Sequence, residues 1–281
     1  MAETMVVAPA RQTRSIDLKR QPGFGFVAIL CLVLLYTPIL VLVIYSFNAN
    51  DSVTRWSTFG FNWYGAAFAN QEFHNAAANT IKITFIATIV STLVATAAAI
   101  GTTRGRRFAG LGAIYTVINL PLMVPEIITA IATLSFFSLL AQYAGLNFGI
   151  GNLILAHTVF CIPFAYMPIR ARLEDMDEKL EQAAADLYAT PWQAFRRVTL
   201  PLLVPGISAG AALAFIVSFD DFTITQLVAG PGQTTLPLYI WAKTRRPLTP
   251  ELNAMCTILL AISILFVVVS FLIANRRNAK T

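Results

Sequence analysis

Polar residues in this chain come in clumps, and between them lie six long apolar runs. They fall at roughly 24–47, 79–101, 111–141, 150–169, 199–219 and 254–274. A helix needs about 20 mostly apolar residues to cross a hydrocarbon slab, so each run suffices. The pattern predicts an all-α polytopic membrane protein with six transmembrane helices. Tyr36 and Pro38 interrupt the first run, and no small-residue cleavage site follows it. It is read as a retained helix, not a signal peptide. The expected organisation is a cytoplasmic tail over 1–22, one membrane domain over 23–275 and a cytoplasmic tail over 276–281.

Composition agrees with this pattern. Apolar residues make up 57% and charged residues 12% of the 281, and the mean hydropathy is +0.67. A soluble domain carries about 25% charged residues, so a soluble enzyme, a disordered chain and a secreted disulfide scaffold are excluded. The three cysteines lie in apolar runs without ligand spacing and read as small buried hydrophobes. No metal site is implied.

Basic residues set the orientation. With the N-terminus inside, 15 of the 20 Lys and Arg fall on inner segments, leaving Arg55, Lys82, Lys243, Arg245 and Arg246. The positive-inside rule then puts both termini in the cytoplasm. The net charge of +6 becomes a topology signal, and nucleic-acid binding drops out.

Three acids stand inside or at the ends of apolar runs. Glu126 lies about half-way along the third, and Asp220 and Asp221 end the fifth. A carboxylate within a membrane is costly and usually faces a cavity on a transport path. Pro121 and Pro125 flank Glu126, and the backbone groups they free are tolerated where they line such a cavity. Lys82 is a candidate internal partner for one acid. For a cation on this path, aromatic side chains would add cation–π and apolar contact. The candidates are Phe219 and Phe222, which flank the paired acids, with Tyr45, Phe47 and Trp241. Gly206-x-x-x-Gly210 reads as a helix-packing face, within the subunit or against a partner, and His157 as an interhelical hydrogen bond.

The one long inner loop, 170–198, carries the most information. Leu173, Met176, Leu180, Ala183, Ala184 and Leu187 recur at spacings of three or four, predicting a helix over 175–187 with one apolar and one acidic face. Thr190-Pro191 then breaks it, and Trp192, Phe195 and Val198 form a second amphipathic stretch. Such a helix suits a groove on a partner protein. Its acids argue against a bilayer-surface helix, which favours Lys and Arg. The chain contains no Gly-Lys dipeptide and hence no P-loop.

Ala183-Ala184, Tyr188 and, after nine residues, Val198-x-Leu200-Pro201 resemble the EAA loop, E-A-A-x3-G-x9-I-x-L-P, of permease subunits of ABC importers. The family's Glu falls on Gln182, beside Glu181, and its Gly on Tyr188. Further segments resemble the spermidine/putrescine-type permeases: Tyr36–Asn48, Leu120–Ile128, Ser218–Phe222, Gly230–Pro237 and Pro250–Ala254. The resemblance implies a type I ABC importer permease fold that moves putrescine or spermidine across a bacterial inner membrane. It implies that the loop over 170–201 docks on the ATPase through Glu181, Gln182, Ala183, Ala184, Asp186, Leu187, Tyr188, Leu200 and Pro201. The partners implied are a second, paralogous permease, two ATPase subunits, and a periplasmic binding protein. ATP-Mg would be used on the ATPases, with no cofactor in this chain. The Tyr at the Gly position implies altered turn geometry or a partner groove adapted to it. The alternatives are the same importer class with an opine, amino-acid derivative or other small cation as cargo, an ion-coupled secondary transporter, and a membrane scaffold without a path.

Overall fold

A computed structural model describes residues 24–53, 55–105, 109–245 and 249–278. The expected tail over 1–22, Arg106, Arg107, Arg246 and residues 279–281 lie outside these. Among the described residues, six helices are long and apolar enough to cross a membrane. Regular structure is helical, with one isolated bridge between Asn48 and Phe59.

In chain order the elements are α1 (Phe24–Tyr45), α2 (Asn62–Ala69), α3 (Gln71–Thr103), α4 (Leu111–Met123), α5 (Glu126–Ala144), α6 (Ile150–Asp175), α7 (Lys179–Asp186), α8 (Pro191–Ala194), a π-turn (Phe195–Thr199), α9 (Leu200–Phe219), α10 (Thr223–Val228), α11 (Leu236–Thr244) and α12 (Pro250–Asn278). The expected C-terminal tail from 276 thus begins inside α12.

Two sequence expectations need correction. The third apolar run is not one helix: Val124 and Pro125, both extended, separate α4 from α5. Proline drives the residue before it out of the helical region, so α4 stops there. Glu126 is therefore the first residue of α5 and not a mid-helix acid. The loop helix expected over 175–187 is also divided. Leu173 still belongs to α6, Met176 is extended, and α7 covers only Lys179–Asp186. The second amphipathic stretch opens the fifth span: a capping box between Thr190 and Gln193 starts α8, which runs through the π-turn into α9.

The core is a three-helix packing of α3, α6 and α9. Its buried residues are mostly small or aliphatic, including Ala95, Ala99, Ala165, Ile169, Leu203 and Ala214. Small residues let helix backbones approach, which carries helix packing where lipid is as apolar as the side chains. The antiparallel α6 and α9 approach closely. A methyl group on Gly210 would lie 2.6 Å from the Ala165 carbonyl oxygen, and one on Gly206 would lie 2.6 Å from the Arg172 Cβ. The Gly206/Gly210 face therefore packs within this subunit. The same seam is laced by polar contacts along its length. Arg172 Nε donates to the Leu202 carbonyl at 3.0 Å, Cys161 Sγ to Ala214 at 3.4 Å, and His157 meets Ser218 at 2.9 Å. By contrast, none of the apolar span of α1 is buried inside the chain.

Gly210→Ala is expected to lower the thermal unfolding midpoint of the detergent-purified protein, because overpacking a tight contact costs ~1–3 kcal/mol. Gly112→Ala, whose new methyl meets nothing within 4 Å, should leave the midpoint unchanged or slightly raised.

Candidate functional site

Two helix breaks meet inside the membrane domain. One is Val124–Pro125, which leaves Glu126 at the start of α5. The other is Asp220–Phe222, where α9 ends and the short α10 begins. α5 packs on α10, with Ala130, Phe137 and Ile224 in a shared apolar cluster. Glu126 lies near enough to Asp221, Thr223 and Asp220 for each to act on its carboxyl. Three acids separated by 94 positions in sequence are thereby gathered in one place.

They are not equivalent. Asp220 is exposed and Glu126 is half-buried. The Asp221 side chain is 1% exposed. Its carboxylate accepts from the backbone N–H of Ile224 at 3.2 Å and of Thr225 at 3.0 Å, and from the Thr225 hydroxyl at 2.9 Å. This is an N-terminal cap: it satisfies backbone donors that the first turn of a helix leaves unpaired. His157 of α6 reaches the same cluster, with Nε2 3.1 Å from Thr225 Oγ1 and 3.3 Å from Asp221 Oδ2. Its other ring nitrogen meets Ser218, so the expected interhelical hydrogen bond of His157 is present on both edges.

The aromatic candidates separate in the same way. Phe222 packs against Trp241 of α11 with ring centroids 5.0 Å apart, and Trp241 is 40% exposed. Phe219 is buried and stacks on Phe215 at 5.4 Å. Tyr45 ends α1 and meets Trp56 edge-on at 5.9 Å. Phe47 stacks on Phe59 at 5.4 Å. Lys82 is exposed and forms no ion pair among the described residues. His157 was legible only as a packing residue, since its aspartate partner lies 64 positions away.

A second polar site lies at the opposite end of the core, around α7. Its apolar residues point two ways. Ala184 is buried, as are Leu173 and Met176 before it, while Leu180, Leu187 and Trp192 are exposed. Gln182, Ala183 and Asp186 are exposed as well. Glu181 turns back toward the protein, accepting from Arg104 Nε at 3.3 Å and from the Thr199 hydroxyl at 2.9 Å. Leu200 and Pro201 form the root of α9, Leu200 half-buried and Pro201 exposed. Tyr188 is 96% exposed and takes φ +59°, making it the one non-glycine residue of positive φ among those described. That is the left-handed conformation glycine enters without cost and the one that commonly ends a helix. The turn after α7 is therefore of the kind a glycine would make, with a tyrosine ring added outward.

The family model of the binding-protein-dependent transport system inner membrane component matches residues 91–280. The chain belongs to this family. Putrescine transport system permease protein PotI of Escherichia coli K12 is 35% identical over 269 residues, covering 95% of this chain and 96% of that protein. Spermidine/putrescine transport system permease protein PotC of Haemophilus influenzae is 35% identical over 244 residues, covering 87% and 93%. In fold, the permease is similar to a chain of a bacterial ABC transporter involved in import of the acidic polysaccharide alginate. The TM-score is 0.70 at 19% identity, covering 89% of this permease and 92% of that chain. An inward-facing MetNI methionine ABC transporter gives a TM-score of 0.60 at 19% identity, covering 72% and 94%. The permease is thus a transport subunit, not an enzyme, with the type I importer permease fold.

The burial of the acids makes a direct prediction about the permease. Asp221→Ala should lower its thermal midpoint in detergent, because a lost cap and an orphaned buried partner together cost ~1–3 kcal/mol. Asp220→Asn, at an exposed position, should leave the midpoint within a degree or two, a shift below ~0.5 kcal/mol.

Proposed function

We propose that this permease forms half of a membrane path for polyamines. Its complex would hold a second, paralogous permease, two ATPase subunits that hydrolyse ATP-Mg, and a periplasmic binding protein. The observation that carries the reading is the gathering of Glu126, Asp220 and Asp221 at two facing helix breaks, beside Phe222 and Trp241. Crowded carboxyls repel one another, and a bound ammonium relieves that repulsion more strongly where water is scarce. Glu126 and Asp220 receive the ammonium groups. Asp221 and Phe219, both buried, hold α10 and the end of α9 in position. Phe222 and Trp241 flank the methylene chain, with cation–π contact to the charged ends. Tyr45 serves the outer entrance. The names of the relatives, which specify putrescine and spermidine, support the same cargo. Binding at this site is weak enough to permit release, and tight capture belongs to the binding protein.

The distribution of Lys and Arg supports a bacterial inner-membrane orientation with both termini in the cytoplasm. α7 then faces the cytoplasm and docks on an ATPase subunit. The exposed Gln182, Ala183, Asp186, Leu187 and Tyr188 make the contact, while Ala184, Leu200 and Pro201 support it from behind.

Two measurements test this. In proteoliposomes carrying the assembled importer, Glu126→Gln combined with Asp220→Asn should cut putrescine uptake at least tenfold, the equivalent of ~1.4 kcal/mol. Unchanged uptake with unchanged ATP use would overturn the cation path. At the docking turn, Tyr188→Gly should retain ATPase binding. Tyr188→Val should weaken it several-fold, because a β-branched residue resists positive φ; equal binding by both variants would remove the turn from the docking account.

A further inference from the structure

We propose that Arg104 couples the docking helix to the membrane helices, as a positioning residue that makes α7 move as one body with α3, α6 and α9. The inference rests on the reading of α7 as the ATPase-docking helix.

Arg104 follows the last residue of α3, and its side chain is 14% exposed. The guanidinium joins three elements at once. Nη1 donates to Glu178 Oε1 at 3.2 Å and Nε to Glu181 Oε1 at 3.3 Å. Nη2 donates to the carbonyls of Leu173 and Met176, each at 3.0 Å. Both carbonyls lie in the turn that closes α6, where the Leu173 carbonyl also accepts from the Met176 N–H at 3.3 Å. The same Glu181 oxygen that Arg104 holds also accepts from Thr199 in the π-turn that leads into α9. Arg104 and Glu181 therefore tie the ends of α3 and α6, the docking helix, and the root of α9 into one junction.

Packing alone does not hold α7. The helix has eight residues, and Ala184 is its one buried side chain, which is too little apolar surface to fix its orientation. A cavity of about 990 Å³ opens beside it, lined by Arg104, Tyr115, Arg170, Glu174 and Gln182 among others. The other charged pair on that cavity is self-contained: Arg170 Nε donates to Glu174 at 2.8 Å, and its guanidinium lies 4.1 Å from the Tyr115 ring centre. Among the described residues, the ion pairs that link α3 to α7 beside this cavity are those of Arg104. A planar guanidinium with five donors can serve two carboxylates and two carbonyls together, whereas an ammonium on a flexible stem acts as a point charge. A push on α7 then reaches three membrane helices together. Two of these, α6 and α9, run in register to His157, Ser218 and Asp221 at the other break.

The test uses the assembled importer in proteoliposomes, reading ATPase capture, ATP hydrolysis and putrescine uptake separately. Arg104→Gln should keep ATPase subunits bound at the wild-type ratio and keep hydrolysis running, while uptake per ATP falls roughly tenfold, within the range of ordinary allosteric couplings. Arg104→Lys should fall between the two. A wild-type ratio of uptake to ATP in Arg104→Gln overturns the inference, and so does loss of the ATPase from that variant, which would make Arg104 a docking residue. If Arg104→Gln does not assemble, Thr199→Val carries the test: a lower uptake per ATP supports the junction and an unchanged ratio overturns it. The docking reading has its own control. If Leu187→Asp leaves ATPase capture intact, α7 is not the docking helix, and both readings fail for a reason distinct from the coupling ratio.

Discussion

The close approach of α6 and α9 is the constraint on which the rest of this permease depends. Gly206 and Gly210 bring α9 against the Pro168–Arg172 turn and the Ala165 carbonyl, where a single added methyl has no room. Once that contact is made, the two antiparallel helices have one register. Arg172 reaches the Leu202 carbonyl, Cys161 meets Ala214, and His157 meets Ser218. The Cys161 and His157 contacts are buried within the spans, where an unpaired group would be costly. The seam is therefore both part of the packing core and a ruler, setting where the α7 end and the acid-bearing end stand relative to each other.

At the acid-bearing end the ruler places a helix break. Stopping a helix inside an apolar slab leaves amides and carbonyls that lipid cannot satisfy. Asp221 supplies the acceptors for α10, and His157 reaches across from α6 to the cap. This explains why two adjacent acids of the same type have different fates. Asp221 points into the cap and is buried, and Asp220 points away and is exposed. Glu126 arrives from the facing break because Pro125 ends α4 one residue before it. The path proposed for a polyamine is thus lined by what the two breaks leave accessible, and supported by what they bury.

At the other end the same economy of parts operates with ordinary ion pairs. Glu181 faces inward to Arg104 and Thr199, so the acidic edge expected to meet a partner is partly used to hold α7 in place. Tyr188 occupies a backbone conformation that costs an L-residue roughly 1–2 kcal/mol. That cost is borne at a fully exposed position, where the ring does nothing for this subunit by itself. A residue strained and unpacked in its own chain fits the proposed docking turn.

The six membrane-length apolar helices and the presence of three unusual acids were legible in the residues. Hydropathy, charge and spacing are local properties, and each apolar run must bury or face lipid whatever its neighbours do. The family resemblance followed from the same local motifs. Tertiary structure alone decided which acid is buried, that the Gly206/Gly210 face packs on α6, that Glu181 points inward, and that Arg104 and Glu181 together join four elements. It also decided the break before Glu126, for which Pro125 was a visible but insufficient signal, since prolines at 38, 163, 168 and 205 sit within helices that continue. These outcomes depend on contacts between residues 18 to 95 positions apart, such as Thr199 with Glu181 and Glu126 with Asp221. No periodicity or spacing records them, because they exist only once one helix has a register against another.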